Sequence, residues 1–116
     1  MAVKRMVLEI GMGTDLRGED WTKAAVRAVK DALWHNSLTI APALGLRGED
    51  MQITARIGAG DPASVDHATV AEAFPYGTVT VEVAEGGMTI PKPEGGATIL
   101  ANAAVIVSLN LPEVTA

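Results

Sequence analysis

Fold and candidate site both depend on residues 11–37, GMGTDLRGEDWTKAAVRAVKDALWHNS. The preceding stretch Val3–Ile10 alternates, with Met6, Leu8 and Ile10 on one side, and this period of two predicts a first strand. An alanine-rich apolar stripe with helical spacing then predicts a helix from about residue 19 to residue 34. Asp15 or Asp20 is placed to cap that helix.

The remainder of the chain continues the alternation of strands and helices. Strands are predicted at residues 51–57, 78–84 and 97–109, a short extended piece near residues 89–90, and a second helix at residues 63–74. The last strand is apolar on both faces, as expected for a strand buried on both sides. We therefore expect a single domain over residues 1–116, of the α/β (α+β) class, with about four strands in a mixed sheet and two helices on one face.

Composition restricts the classes of function. The chain has 116 residues, a formal net charge of −5 and no cysteine. Because phosphate binding depends on Lys and Arg, and single-strand binding on aromatic platforms, this composition argues against nucleic acid and against an anionic membrane surface. No window is long or apolar enough for a signal peptide or a membrane span, so we expect a cytoplasmic protein.

Gly11 and Gly13 stand between the first strand and the first helix. They are predicted to form a turn that uses the freedom of glycine at positive φ. Position 16 is Leu16, so the dinucleotide-binding fingerprint is incomplete. Two alternatives stay open: free N–H groups at the mouth of the helix hold an anion, or the turn is tight and binds nothing.

Charged residues on the first helix suggest a second element of a site. Lys23 and Arg27 are four residues apart and share one helix face. They either clamp a carboxylate or phosphate, or form a solvated ladder of alternating charge with Asp20 and Asp31.

The end of the helix supplies the chain's most useful proton donor or acceptor. The imidazole of histidine has the free pKa closest to neutrality, so His35 is a candidate acid or base; its charge at the end of the helix is also favourable to the helix dipole without any catalytic role. A zinc site from His35, His67 and Asp15 or Asp20 has no ligand-spacing signature, so no metal and no organic cofactor is predicted. The candidate catalytic residues are Asp15, Asp20 and His35; the candidate substrate-binding residues are Gly11, Gly13, Thr14, Lys23, Arg27, Asn36 and Ser37.

Two further charged residues lie on strands. Arg56 and Glu82 occupy the faces of their strands that point away from the predicted core. They become important only if another subunit buries that face.

The run from Gly11 to Leu38, with the pattern GxGTDLxGxDxTKAAxRAVxDALxHNSL, resembles the signature of a small family of uncharacterised bacterial proteins. Members of that family have about this length, so the resemblance covers nearly the whole chain. It implies no established activity.

A fainter resemblance concerns topology. The stretch from Gly45 through Asp61 and Phe74 to the Val81-Glu-Val-Ala84 strand is similar in rhythm to the YjgF/RidA-type proteins. It implies the fold of the trimeric chorismate mutase, which ring-opening amidohydrolases repeat in a related form, and a homotrimer or higher ring with ligand pockets at subunit clefts. Residues 78–84 contain no arginine, where the resemblance would place one. Independently, a sheet with helices on one face leaves its other face to be covered by self-association.

Together these features lead to two functional hypotheses. The first is an enzyme acting on a small anionic or cyclic amide-like metabolite by cofactor-independent acid–base chemistry, as a hydrolase or an isomerase. Lys23 and Arg27 would hold the anion, Asp15 or Asp20 would act as base, and His35 would transfer protons. The alternative is a non-catalytic ligand-binding or accessory subunit whose residues 11–37 form a protein interface.

Overall fold

The computed structural model describes residues 2–34 and 39–112, which form a five-stranded mixed sheet with helices on one face. The strand order is β1-β5-β2-β3, and β4 pairs with β5 beyond the end of β2. The central strand β5 is antiparallel to β1, β2 and β4, whereas β2 and β3 are parallel. In chain order the elements are β1 (Ala2–Asp15), α1 (Trp21–Trp34), α2 (Ile40–Ala43), β2 (Gln52–Ala59), α3 (His67–Ala71), β3 (Thr78–Glu85), β4 (Met88–Pro91) and β5 (Ala97–Leu111).

The long helix α1 packs directly on β1 and β5. Its buried stripe consists mainly of alanines, so the helix backbone approaches the sheet closely. Gly11 and Gly13 lie beneath it, and a Cβ atom at Gly11 would overlap the backbone of Ala28 and Ala32. The predicted glycine turn is therefore wrong: both residues are buried inside β1, and their lack of a side chain is what admits the helix.

The sheet has two different faces, which we call inner and outer. Facing residues on neighbouring strands share a face, and the row Gly11, Ala103, Ile57 and Val83 belongs to the inner face under the helices. The next row, Ile10, Ala104, Arg56 and Glu82, belongs to the outer face. In the part of the chain that the structure describes, no helix covers the outer face. The prediction of helices on one face is thus confirmed for the long helix and its shorter companions.

The predicted second helix is largely wrong. A 3-10 turn at Pro62–Ser64 is followed by α3, which has only five residues. The Asp66 carboxylate accepts hydrogen bonds from Ala68 N at 3.1 Å and from Thr69 Oγ1 at 2.9 Å, so it caps a new helix start within the predicted span. Pro62 then belongs to the turn rather than to the helix.

The fifth strand comes from the piece predicted near residues 89–90. After β3 the chain crosses the end of β2 at Gly86 and Gly87, and Gly87 has a φ of +70°. Asn102 Oδ1 accepts a hydrogen bond from Gly87 N at 3.1 Å, and Gly58 lies directly below the crossing. This crossover places β4 beside the part of β5 that extends past the end of β2.

None of the described helices is long and apolar enough to span a bilayer. The longest, α1, has 14 residues, against about 20 for a spanning helix.

Candidate functional site

Asp15 ends β1 and organises the loop that leads into α1. It is buried, with 5% of its surface exposed, and its Oδ2 accepts a hydrogen bond from Asp20 N at 2.9 Å. Backbone amides of Asp20, Gly18 and Arg17 lower the pKa of this carboxyl against the opposing effect of burial, and the Lys23 ammonium adds to the lowering. The carboxylate therefore binds the chain's own loop.

Asp20 is the N-cap of α1, as the sequence predicts. Its Oδ1 accepts a hydrogen bond from Lys23 N at 3.0 Å, and its carbonyl oxygen accepts one from Ala24 N at 3.0 Å. The amides expected to hold an external anion are therefore used in part by Asp15 and Asp20. This arrangement favours the tight turn over the anion-binding turn.

Arg27 and Asp31 close the free edge of β1. Arg27 Nη1 donates to the carbonyl oxygen of Thr14 at 2.7 Å, and Asp31 Oδ2 accepts from Met12 N at 3.0 Å. Both bonds run from α1 across the strand edge that has no strand partner. The Arg27 guanidinium, predicted to clamp an anion, thus binds the backbone of β1. The alternative prediction, a solvated ladder of charges, does not include these two backbone contacts either.

Lys23 is an exposed cation of this block. It forms no ion pair among residues 2–34 and 39–112, and its charge lowers the pKa of the Asp15 carboxyl. The structure thus brings Asp15, Asp20 and Lys23 together at the mouth of α1, while Gly11 and Gly13 lie buried under the helix. His35, Asn36 and Ser37 lie outside the described residues. Roles for all these residues in binding or catalysis stay predictions.

His67, the other histidine, begins α3 and is exposed. Within the described ranges, no three carboxylate or imidazole side chains are grouped closely enough to hold a metal ion.

A second candidate site lies on the outer face and is absent from the predicted set. Arg56 on β2 faces Glu82 on β3, and Arg56 Nε lies 3.3 Å from Glu82 Oε2. The two side chains are 63% and 55% exposed. They border a concavity of about 460 Å³ that is otherwise lined by Ile57, Gly58, Val83, Ala84 and Ala104.

The floor of this concavity is built from small residues. Gly58, Ala84 and Ala104 leave room above the sheet, so the charged pair stands beside a depression instead of a crowded surface. Within the described residues, the Arg56 guanidinium donates no hydrogen bond, and Glu82 is its ion-pair partner. The sequence signal was present as opposite charges on two strands, but only the parallel register brings them face to face.

Comparison with known proteins gives the family. Residues 5–107 match the model of a family described as conserved hypothetical protein (Lin0512_fam). The chain belongs to this family. A family of uncharacterised proteins was predicted, and the match confirms the prediction to that extent.

One solved structure in particular resembles this member of the Lin0512 family. It is the crystal structure of an FtsZ-like protein of unknown function from Nostoc punctiforme PCC 73102, with a TM-score of 0.86 and 34% sequence identity. The alignment covers 96% of this chain and 99% of that chain. No curated protein matches the sequence. The mixed α and β architecture is therefore shared over the full length of the neighbour.

Proposed function

We propose that this Lin0512 family member is a ligand-binding subunit that holds a small anionic metabolite in the outer-face concavity at Arg56. The observation that carries the proposal is the Arg56–Glu82 pair beside a floor of small residues. Such a subunit is the non-catalytic alternative predicted from the sequence, with the binding site moved from the α1 block to the outer face.

The chemistry of Arg56 suits an anion. A guanidinium offers five N–H donors in a planar fork, and carboxylates and phosphates accept two of them in parallel. Glu82 Oε2 lies 3.3 Å from Nε, so the carboxylate orients the fork from one side and the remaining N–H groups can donate to a ligand. The volume of about 460 Å³ lies within the range usual for small-molecule sites.

The contacts of the residues first predicted to hold the anion (Arg27) or to act as base (Asp15, Asp20) support placing the site elsewhere. Arg27 donates to Thr14 O, and the carboxylates of Asp15 and Asp20 accept backbone amides. An external ligand would have to displace these bonds, each of which contributes to the fold.

The enzymatic alternative keeps one favourable observation. Lys23 is exposed and unpaired among the described residues, and it lies close enough to Asp15 to lower the pKa of that carboxyl. A hydrolase or isomerase would use Lys23 to hold the substrate anion and Asp15, Asp20 or His35 for proton transfer. The YjgF/RidA-type fold relationship and the homotrimer belong to this proposal, since they would place pockets at subunit clefts.

The test uses inorganic phosphate and succinate as probes. Binding to the purified protein is followed by calorimetry and by thermal unfolding, with Arg56→Gln and Arg47→Gln as matched variants. Arg47 is also exposed and also pairs with a carboxylate, at 3.6 Å from Asp50, but it lies outside the concavity.

We expect at least one probe to bind, Arg56→Gln to weaken binding at least tenfold, and Arg47→Gln to leave it unchanged. Binding that survives Arg56→Gln would refute the proposal. If binding is lost in Lys23→Met instead, the site lies at the N-terminus of α1 and the enzymatic alternative is supported.

A further inference from the structure

Seven large apolar side chains lie together on the outer face; five of them are exposed, and Leu100 and Ile106 are half-buried. We call them the outer patch: Leu8, Ile10 and Met12 on β1, Met88 and Ile90 on β4, and Leu100 and Ile106 on β5. Ile10 is 63% exposed, Met12 57% and Met88 58%. The pairings Leu8↔Ile106 and Met88↔Leu100 place them side by side.

The outer patch contains no charged residue. Its neighbours in the same rows, Thr14, Asn102 and Ala104, are also uncharged, and Arg56 and Glu82 lie at its border. A contiguous apolar surface of this kind on a soluble chain marks an interaction site. A chain of net charge −5 is poorly suited to an anionic membrane.

We propose that a second copy of this chain covers the outer patch, so that two sheets pack face to face about a two-fold axis. The inner faces already carry the helices, so the pair would have the layer order helix, sheet, sheet, helix. Sheets packed in this way lie about 10 Å apart. A patch that contacts the same patch on its partner forms a closed interface.

The available area fits this occupant. Strand spacing of about 4.8 Å and a rise of about 3.3 Å per residue give the outer face an area of roughly 700 Å². A stable complex buries about 800 Å² on each partner, and interfaces between identical chains are more apolar than most. The test of the dimer needs no ligand, so its outcome is separate from that of the anion-binding experiment.

The test is the mass of the protein in solution, measured by light scattering and sedimentation. The chain mass is 12.0 kDa, so we expect a particle of two chains. Ile10→Glu should convert it to a monomer with an unchanged circular dichroism spectrum, because Ile10 is exposed. Leu44→Glu is the matched control, since Leu44 is 45% exposed but lies outside the sheet.

A second measurement covers the case in which Ile10→Glu fails to fold. The chain has no cysteine, so Ile10→Cys and Leu44→Cys each introduce one thiol for a short bifunctional maleimide. We expect cross-linked pairs from Ile10→Cys and none from Leu44→Cys. A monomeric wild type, a particle of three chains, or equal cross-linking from both variants would overturn the proposal.

Discussion

Arg27 Nη1 lies 2.7 Å from the carbonyl oxygen of Thr14, so a helix side chain donates a hydrogen bond to the edge of the sheet. One turn along the helix, Asp31 Oδ2 accepts the Met12 amide at 3.0 Å. Arg27 and Asp31 thus satisfy a backbone carbonyl and a backbone amide on the edge of β1 that has no strand partner. Exposed edges of this kind invite pairing with other chains, and side chains that cover them prevent it.

Removing this cover should weaken the fold and open the edge. We expect Arg27→Met to lower the free energy of unfolding by about 1 kcal/mol, because one charge-assisted hydrogen bond is lost. Urea denaturation gives the value, and concentration-dependent scattering reports edge pairing. Lys30→Met removes an exposed cation from the same helix and should change neither measurement.

The close approach of α1 to β1 should make Gly11 intolerant of any side chain. A Cβ atom there would overlap the backbone of Ala28 and Ala32, which cannot move aside as a side chain could. We expect Gly11→Ala to destabilise the protein by about 2 kcal/mol or more.

Gly58→Ala is the control for Gly11→Ala. Gly58 also lies in a strand, but the nearest atoms to its Cβ would be at 3.4 Å, an ordinary contact. We expect at most a small change in the urea midpoint. Equal destabilisation by the two variants would show that loss of glycine, rather than helix docking, is responsible.

Acid should destabilise the fold through Asp15. Hydrogen bonds from the amide of Asp20 and its neighbours lower the pKa of Asp15 in the folded state below its ordinary value of about 3.9. The unfolded chain therefore binds this proton first, and the stabilisation, complete above pH 5, is lost as the pH falls through the folded-state pKa. Asp66, whose pKa is lowered by Thr69, contributes with the same sign.

The corresponding measurement is the urea midpoint between pH 5 and pH 2. We expect Asp15→Asn to be less stable than the wild type at pH 7 and to lose less stability on acidification. Asp66→Asn should behave in the same way, and a double variant should be flatter still. An acid slope of Asp15→Asn identical to that of the wild type would contradict the assignment.

Lys23 should act on Asp15 through its charge alone. We expect Lys23→Met to raise the pKa of the Asp15 carboxyl and to leave the fold unchanged, because Lys23 is exposed and makes no ion pair within the described residues. Carboxyl carbon NMR titration measures the shift, with Lys30→Met as the control. A larger pKa change in Lys30→Met would show that the nearby cation has been misassigned.

Helix α1 was predicted to within two residues of its observed start because its determinants are local. The alanine stripe and the cap at Asp20 act over single turns of the chain. The predicted second helix is wrong for an equally local reason: Asp66 caps a helix that starts inside the predicted span. The predicted glycine turn is wrong for a different reason. Gly11 and Gly13 lack side chains because α1 packs against their backbone, and this contact is not visible in the sequence.

The strands, the long helix and the acidic charge could be predicted from the residues alone, because these features depend on residue type and spacing. Which polar groups are available for chemistry depends on the packed fold. Arg27 looks free in the sequence but donates to the Thr14 carbonyl oxygen, whereas Arg56 meets Glu82 through the register of two parallel strands. Both contacts join different secondary-structure elements, and the distances between those elements exist only once the sheet and α1 have packed.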